Sequence, residues 1–316
     1  MDYLFLFLGL GALLLSGDLL VRGGVSLARH FRVSTLVVGM TVVSLGTSAP
    51  ELVVSLQAVL TSHEDFAIGT VIGSNISNIG LVLGLTVLIM PMAVNSRSVY
   101  FDWPIMMGAT ILFYLFIRNG SLVHYEGIVF IFLLAGFIVF SILSSRRSEG
   151  RNAKVVAVPK YSLIVSILII IISSVGLRFG AQWLVNGASG IARSFNVSDH
   201  VISVSIVAFG TSVPELATSL IAAIKKESDI SIGNIIGSNL FNILGILGIT
   251  SVVKAIKVNE LVLDFDIWFL GGISLLLLFL MLPAKKSRIR RFEGALLVIG
   301  YIAYIIIVFS PELIGL

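Results

Sequence analysis

Leu45-Gly46-Thr47-Ser48-Ala49-Pro50-Glu51 and Phe209-Gly210-Thr211-Ser212-Val213-Pro214-Glu215 are two copies of one phrase, each inside a long apolar run. Each is followed at the same distance by a second phrase, Ile72-Gly73-Ser74-Asn75-Ile76-Ser77-Asn78 and Ile236-Gly237-Ser238-Asn239-Leu240-Phe241-Asn242. A carboxylate within a hydrophobic helix is costly and marks a functional position. Two of them, at matching places of two repeats, point to one cation site shared by the two halves of the sequence.

Outward from these phrases the chain stays apolar. Its 316 residues are 57% hydrophobic and 12% charged, with a mean hydropathy of +1.06. Stretches long enough to cross about 30 Å of hydrocarbon recur throughout. Ten are expected, at roughly 3–27, 34–60, 66–92, 99–117, 122–144, 162–191, 199–224, 230–255, 262–282 and 292–310. The first has no positive charge before it and no small-residue cleavage site after it, so it reads as a span rather than a signal peptide. There is no cysteine, which excludes disulfides and thiolate metal sites.

The basic residues are sorted by loop. With the N-terminus outside, Arg22, Arg29, Arg32, Arg97, Arg146 and Arg147 fall inside with most of the lysines, and only Arg118, Arg193, Lys254 and Lys257 fall outside. That is the positive-inside bias, with both termini outside. The formal charge of +4 is therefore a topology signal and implies no nucleic-acid partner.

Adding 164 maps residues 20–86 onto the second half without a gap: Glu51 falls on Glu215, Ser74 on Ser238, Asn75 on Asn239, Asn78 on Asn242 and Gly84 on Gly248. Later, Asp102 matches Asp266, and Glu126-Gly127 resembles Glu293-Gly294 after a small shift. Five spans per half is an odd number, so the halves insert in opposite orientations, the inverted-repeat plan of many secondary transporters. The expected organisation is a single all-α membrane domain over 1–316: a first five-helix repeat at 1–144, a polar cytoplasmic linker at 145–160, and a second repeat at 161–316.

Proline within a helix removes a hydrogen bond and pushes away the carbonyl four residues earlier. Pro50 and Pro214 are thus expected to free the carbonyls of Gly46 and Gly210 and loosen a turn. Such a turn would present backbone carbonyls, Thr and Ser hydroxyls, and a carboxylate, all hard oxygen donors. Ser74 with Asn78, and Ser238 with Asn242, share a helix face. Gly69 with Gly73, and Gly233 with Gly237, form small-residue pairs that let helices approach. Ca2+ takes six to eight oxygens, and Na+ is similar in size. His30, His63, His124 and His200 lie near span ends, outside both phrases, so zinc or copper is not expected. Two carboxylates balance one Ca2+, whereas an emptied site would bury two negative charges at high cost. An empty carrier then switches poorly, and obligatory exchange follows.

These residues resemble the duplicated signatures of the cation/Ca2+ exchanger superfamily, particularly the prokaryotic Na+/Ca2+ exchangers, over nearly the whole chain. The resemblance implies a secondary antiporter that exchanges Na+ for Ca2+ by alternating access, with the first and sixth spans sliding across the others. It implies Glu51 and Glu215 as central ligands of both ions. It implies side-chain oxygens from Ser48, Ser74, Asn78, Ser212, Ser238 and Asn242, and backbone oxygens from Ser44, Thr47, Ala208 and Thr211. Some relatives, including the K+-dependent branch, are acidic at the position of Asn242. This chain has asparagine in both repeats, hence two motif carboxylates and a weakened case for K+. More than two Na+ per Ca2+, as the family implies, makes the exchange electrogenic.

Other readings stand beside these. The same glutamates can shuttle protons, giving a Ca2+/H+ antiporter, and a channel is the alternative from another class. Asp18 is expected to pair with Arg22 at the membrane interface, and Asp102, Asp264 and Asp266 to open helices. Gly187-Ala188-Ser189-Gly190 looks like a rhomboid-type nucleophile signature, but it lacks a histidine motif, and its counterpart Gly23-Gly24-Val25-Ser26 points to close packing. No enzyme activity and no cofactor are expected. The expected partners are the lipid bilayer and the Ca2+ and Na+ ions, in a multi-pass protein of a prokaryotic plasma membrane.

Overall fold

Apolar runs in lipid must satisfy their own backbone polar groups, and helices do so within one segment. The computed structural model describes residues 1–61, 63–151, 158–195, 197, 202, 208–282 and 288–309. Its helices are α1 (Asp2–Phe31), α2 (Thr35–Leu60), α3 (Glu64–Ile89), α4 (Ser98–Ile117), α5 (His124–Arg151), α6 (Leu163–Ser194), α7 (Val213–Ile224), α8 (Ser228–Val253), α9 (Val262–Met281) and α10 (Arg291–Phe309). All except α7 are long and apolar enough to cross a membrane. The expected seventh span, 199–224, begins mostly outside the described residues, as do His200 and part of the linker. Large apolar side chains such as Phe132, Ile172 and Phe279 face outward, where lipid replaces water as their solvent.

The chain divides into two compact units, Met1–Pro50 with Ile138–Asn234, and Glu51–Phe137 with Ile235–Leu316. Each unit draws on both repeats.

In the first unit α1 and α6 pack antiparallel along their length. A Cβ at Gly187 would meet Leu6 N at 2.5 Å, one at Gly180 would meet Leu13 N at 3.0 Å, and one at Gly23 would meet the Ile170 side chain at 3.0 Å. Small residues allow this approach of two backbones. The segment Gly187–Gly190 is thus part of a helix seam, as its repeat counterpart suggested, and Ser189 is buried in it. Gly39 in α2 and Gly233 in α8 make a second close contact, each facing backbone of the other helix's neighbouring turn.

In the second unit the repeats exchange partners. A Cβ at Gly127 of α5 would meet Gly248 O of α8 at 2.6 Å, and one at Gly294 of α10 would meet Gly84 O of α3 at 2.8 Å. Gly84 and Gly248 are repeat mates, so these are one contact made twice. Glu126 and Glu293 open α5 and α10 in the same way, accepting hydrogen bonds from the backbone nitrogens of Val123 and Arg290. Four two-residue strands follow the same rule: β1 (Met92–Ala93) pairs with β4 (Arg288–Ile289), and β2 (Ser121–Leu122) with β3 (Ile256–Lys257), both antiparallel. The expected close approach at Gly69 and Gly73 is not made, since a Cβ at either would meet nothing within 4 Å. The tight face of α3 is instead the one carrying Gly80 and Gly84, packed on α10.

Wider π-helical turns interrupt α2 at Gly39–Val43, α3 at Asn78–Leu83 and α8 at Phe241–Leu247, and open α4 at Ser98–Asp102 and α9 at Val262–Asp266. Such turns insert a residue and are frequent at functional sites. Here two of them hold Asn78 and Asn242.

Candidate functional site

The two proline motifs have different backbones. In the second, a helical turn Ala208–Thr211 ends at Ser212, whose φ of −90° and ψ of 0° break the helix before α7. Pro214 then sits at the start of α7, where its missing N–H removes no helical bond. Glu215 occupies the first turn, where the free N–H groups favour a carboxylate. In the first motif the helix Ser44–Leu60 runs through Pro50. Pro50 has no N–H to give, so the Gly46 carbonyl loses its helical partner as expected, while the turn keeps its helical form. The irregular stretch lies earlier, in the π turn Gly39–Val43. Gly46 abuts Ser174 and its repeat mate Gly210 abuts Val185, while Gly39 abuts Ile230.

In the first unit Ser44, Thr47, Ser48, Ser212 and Glu215 are all buried. Ser48 Oγ donates to Glu215 Oε1 at 3.1 Å. Thr47 Oγ1 lies 3.2 Å from both Ser44 O and Asn234 Oδ1, and Asn234 Nδ2 donates to Ser219 Oγ at 3.1 Å. Glu215 Oε2 and Ser212 Oγ are buried with no hydrogen-bond partner among the described residues. An unmatched buried oxygen costs about 1–3 kcal/mol, and a bound cation offsets that cost. Thr211 is exposed at its side chain, and Ala208 is described by its backbone alone. Asn234 and Ser219 were not singled out from the sequence. Asn234 aligns with Thr70, so the repeat gave no signal for it, whereas Ser219 matches Ser55 and was open to detection.

In the second unit Glu51, Ser74, Asn78, Ser238 and Asn242 are buried. Four asparagines meet in a crossed pattern. Asn78 Nδ2 donates to Asn239 Oδ1 at 3.2 Å, and Asn242 Nδ2 donates to Asn75 Oδ1 at 2.9 Å. Asn78 Oδ1, Asn242 Oδ1 and Ser238 Oγ then remain buried without a hydrogen-bond partner among the described residues. Neutral and anionic oxygens are thus the donor set of both units. No group of three or more His, Cys, Asp or Glu side chains suited to a metal occurs among the described residues.

Three other acidic residues have structural partners. Asp18 pairs with Arg22 at 2.6 Å, as expected, and also with Lys225. Asp102 is fully buried 3.5 Å from Arg97, and its repeat mate Asp266 accepts from Tyr304 Oη at 3.0 Å. Both stand directly before the α-helical part of their spans.

Comparison with known proteins bears on the family of the chain. A family model described as sodium/calcium exchanger protein matches residues 1–143 and 165–310. A putative antiporter, CaxA, of Alkalimonas amylolytica is 36% identical, over 97% of this chain and 98% of that protein. The sodium/calcium exchanger MaX1 of Methanosarcina acetivorans is 29% identical, over 98% of each. A solved structure of the sodium-calcium exchanger NCX_Mj, soaked with zero Na+ and Ca2+, superposes with a TM-score of 0.81 at 32% identity, over 96% of this chain and 97% of that one.

Proposed function

The chain belongs to the sodium/calcium exchanger family, and from that premise we propose how its residues carry out the exchange of Na+ for Ca2+. It is a secondary active antiporter that works by alternating access. Glu51 and Glu215 are the charged ligands of the transported cations. Ser48, Ser74, Asn78, Ser212, Ser238 and Asn242 add side-chain oxygens, and Ser44, Thr47, Ala208 and Thr211 add backbone oxygens. The observation that supports this reading is that several of the buried oxygens left without hydrogen bonds among the described residues lie in the motifs: Ser212 and Glu215 in one unit, and the repeat mates Asn78 and Asn242, with Ser238, in the other.

Two carboxylates match the charge of one Ca2+. Loaded with Ca2+ or with Na+ the carrier is close to neutral and can change conformation; emptied, it buries two uncompensated charges and cannot. That asymmetry couples the two fluxes. The antiparallel α1–α6 pair, whose backbones lie in close contact, slides as one piece during the switch. The basic loops put the termini outside and the 145–160 linker in the cytoplasm of a prokaryotic cell. There the inward Na+ gradient drives Ca2+ out.

The test is 45Ca2+ uptake into proteoliposomes. Uptake is expected when the vesicles are preloaded with Na+, and not when K+ or a proton gradient replaces it. Uptake driven by the proton gradient alone would overturn the Na+ reading.

A further inference from the structure

Asn75 and Asn239 stand outside the proposed ligand set, yet both are committed to it. Asn239 Oδ1 accepts from Asn78 Nδ2 at 3.2 Å, and Asn75 Oδ1 accepts from Asn242 Nδ2 at 2.9 Å. A primary amide carries its donors and its acceptor on opposite arms. Holding the nitrogen therefore decides where the oxygen points. The oxygens so directed, Asn78 Oδ1 and Asn242 Oδ1, are buried and accept no hydrogen bond among the described residues. The braces are fixed in turn: Asn75 Nδ2 donates to Asn239 O at 3.4 Å, and Asn239 Nδ2 contacts Met106 Sδ at 3.6 Å.

We propose that Asn75 and Asn239 are positioning residues, each turning the ligand asparagine of the opposite repeat so that its carbonyl oxygen faces the transported cation. This rests on the ligand roles given above to Asn78 and Asn242.

The inference is tested by a double-mutant cycle in Na+-loaded proteoliposomes, reading the KM for Ca2+ and the maximal rate. N75A is expected to raise the KM about ten-fold, as loss of one buried hydrogen bond to a ligand would, with the maximal rate within about two-fold. In an N242A background, adding N75A is expected to change nothing further, because the residue it positions is gone. N239A and N78A form the mirror cycle with the same expectation. Ca2+-dependent thermal stabilisation measures binding where a variant's flux is too small, and N75S repeats the cycle if N75A does not reconstitute. An unchanged KM in N75A, or a double mutant whose loss is the product of the two single losses, would overturn the positioning role. Absence of Na+-dependent uptake by the parent protein would instead overturn the transport reading itself.

Discussion

Ser48 of the first motif donates its hydroxyl hydrogen to Glu215 Oε1 of the second at 3.1 Å, with both side chains buried. The first repeat thus helps to hold a proposed ligand of the second. A hydrogen bond to a charged group contributes about 1.5–3 kcal/mol, equivalent to about a ten- to hundred-fold change in binding. S48A should therefore raise the KM for Ca2+ at least ten-fold in 45Ca2+ uptake assays. An unchanged KM would mean that the contact does not contribute to binding.

In the proposed ligand set, E51Q and E215Q each remove one of the two carboxylates assigned to balance Ca2+. Both should abolish Na+-dependent Ca2+ flux while the protein still elutes as a folded species by size exclusion. Full flux in either variant would remove that glutamate from the ligand set.

Exchange of more than two Na+ per Ca2+ moves net charge. Na+-driven Ca2+ uptake should then respond to a potential clamped by K+ and valinomycin, speeding up when the vesicle interior is made positive, because net positive charge leaves the vesicle in each cycle. Equal rates at all clamped potentials would establish an electroneutral cycle.

Gly127 backs directly onto Gly248 and Ser251, whereas a Cβ at Gly136 would meet nothing within 4 Å. Overpacking a tight contact costs about 1–3 kcal/mol. G127A should lower the Tm in detergent by several degrees and G136A should leave it in place. Equal Tm values for the two variants would mean that the α5–α8 seam yields to the added methyl group.

Glu227 lies in the short connection between α7 and α8, and burial, together with Asp229, raises its pKa above the ordinary 4.5, against the opposing pull of Arg29. A carboxyl raised in the folded state favours folding at low pH, and that contribution is lost as pH rises through the raised value. The Tm of the parent should therefore fall relative to that of E227Q as pH increases from below 4.5. Parallel Tm curves would show that Glu227 titrates normally.

Hydropathy alone placed the spans, because a segment that crosses lipid must be apolar and satisfy its own backbone wherever it packs. The expected 34–60, 99–117 and 262–282 differ by a residue or so from the helices Thr35–Leu60, Ser98–Ile117 and Val262–Met281. The repeat located every motif and pointed to the seams at Gly187 and Gly233, but it also suggested one at Gly69 and Gly73 that is not made. What it missed was non-local. The repeat paired Asn75 with Asn239 but could not show that each would bond to the other repeat's ligand. Asn234, whose counterpart in the first repeat is Thr70, gave no sign that it would reach Thr47.

The sequence by itself determined an all-helical membrane protein with an inverted duplication and two acidic motifs, since hydropathy, helix period and internal repetition are properties of the chain read in order. Only the tertiary structure decided that the same Gly-Thr-Ser-x-Pro-Glu phrase runs as continuous helix through Pro50 yet breaks at Ser212. It also decided that Asn78 and Asn242 donate through nitrogen and leave oxygen unpaired. Near-identical local sequences have near-identical local preferences, so the difference between them comes from the neighbours that packing brings to each.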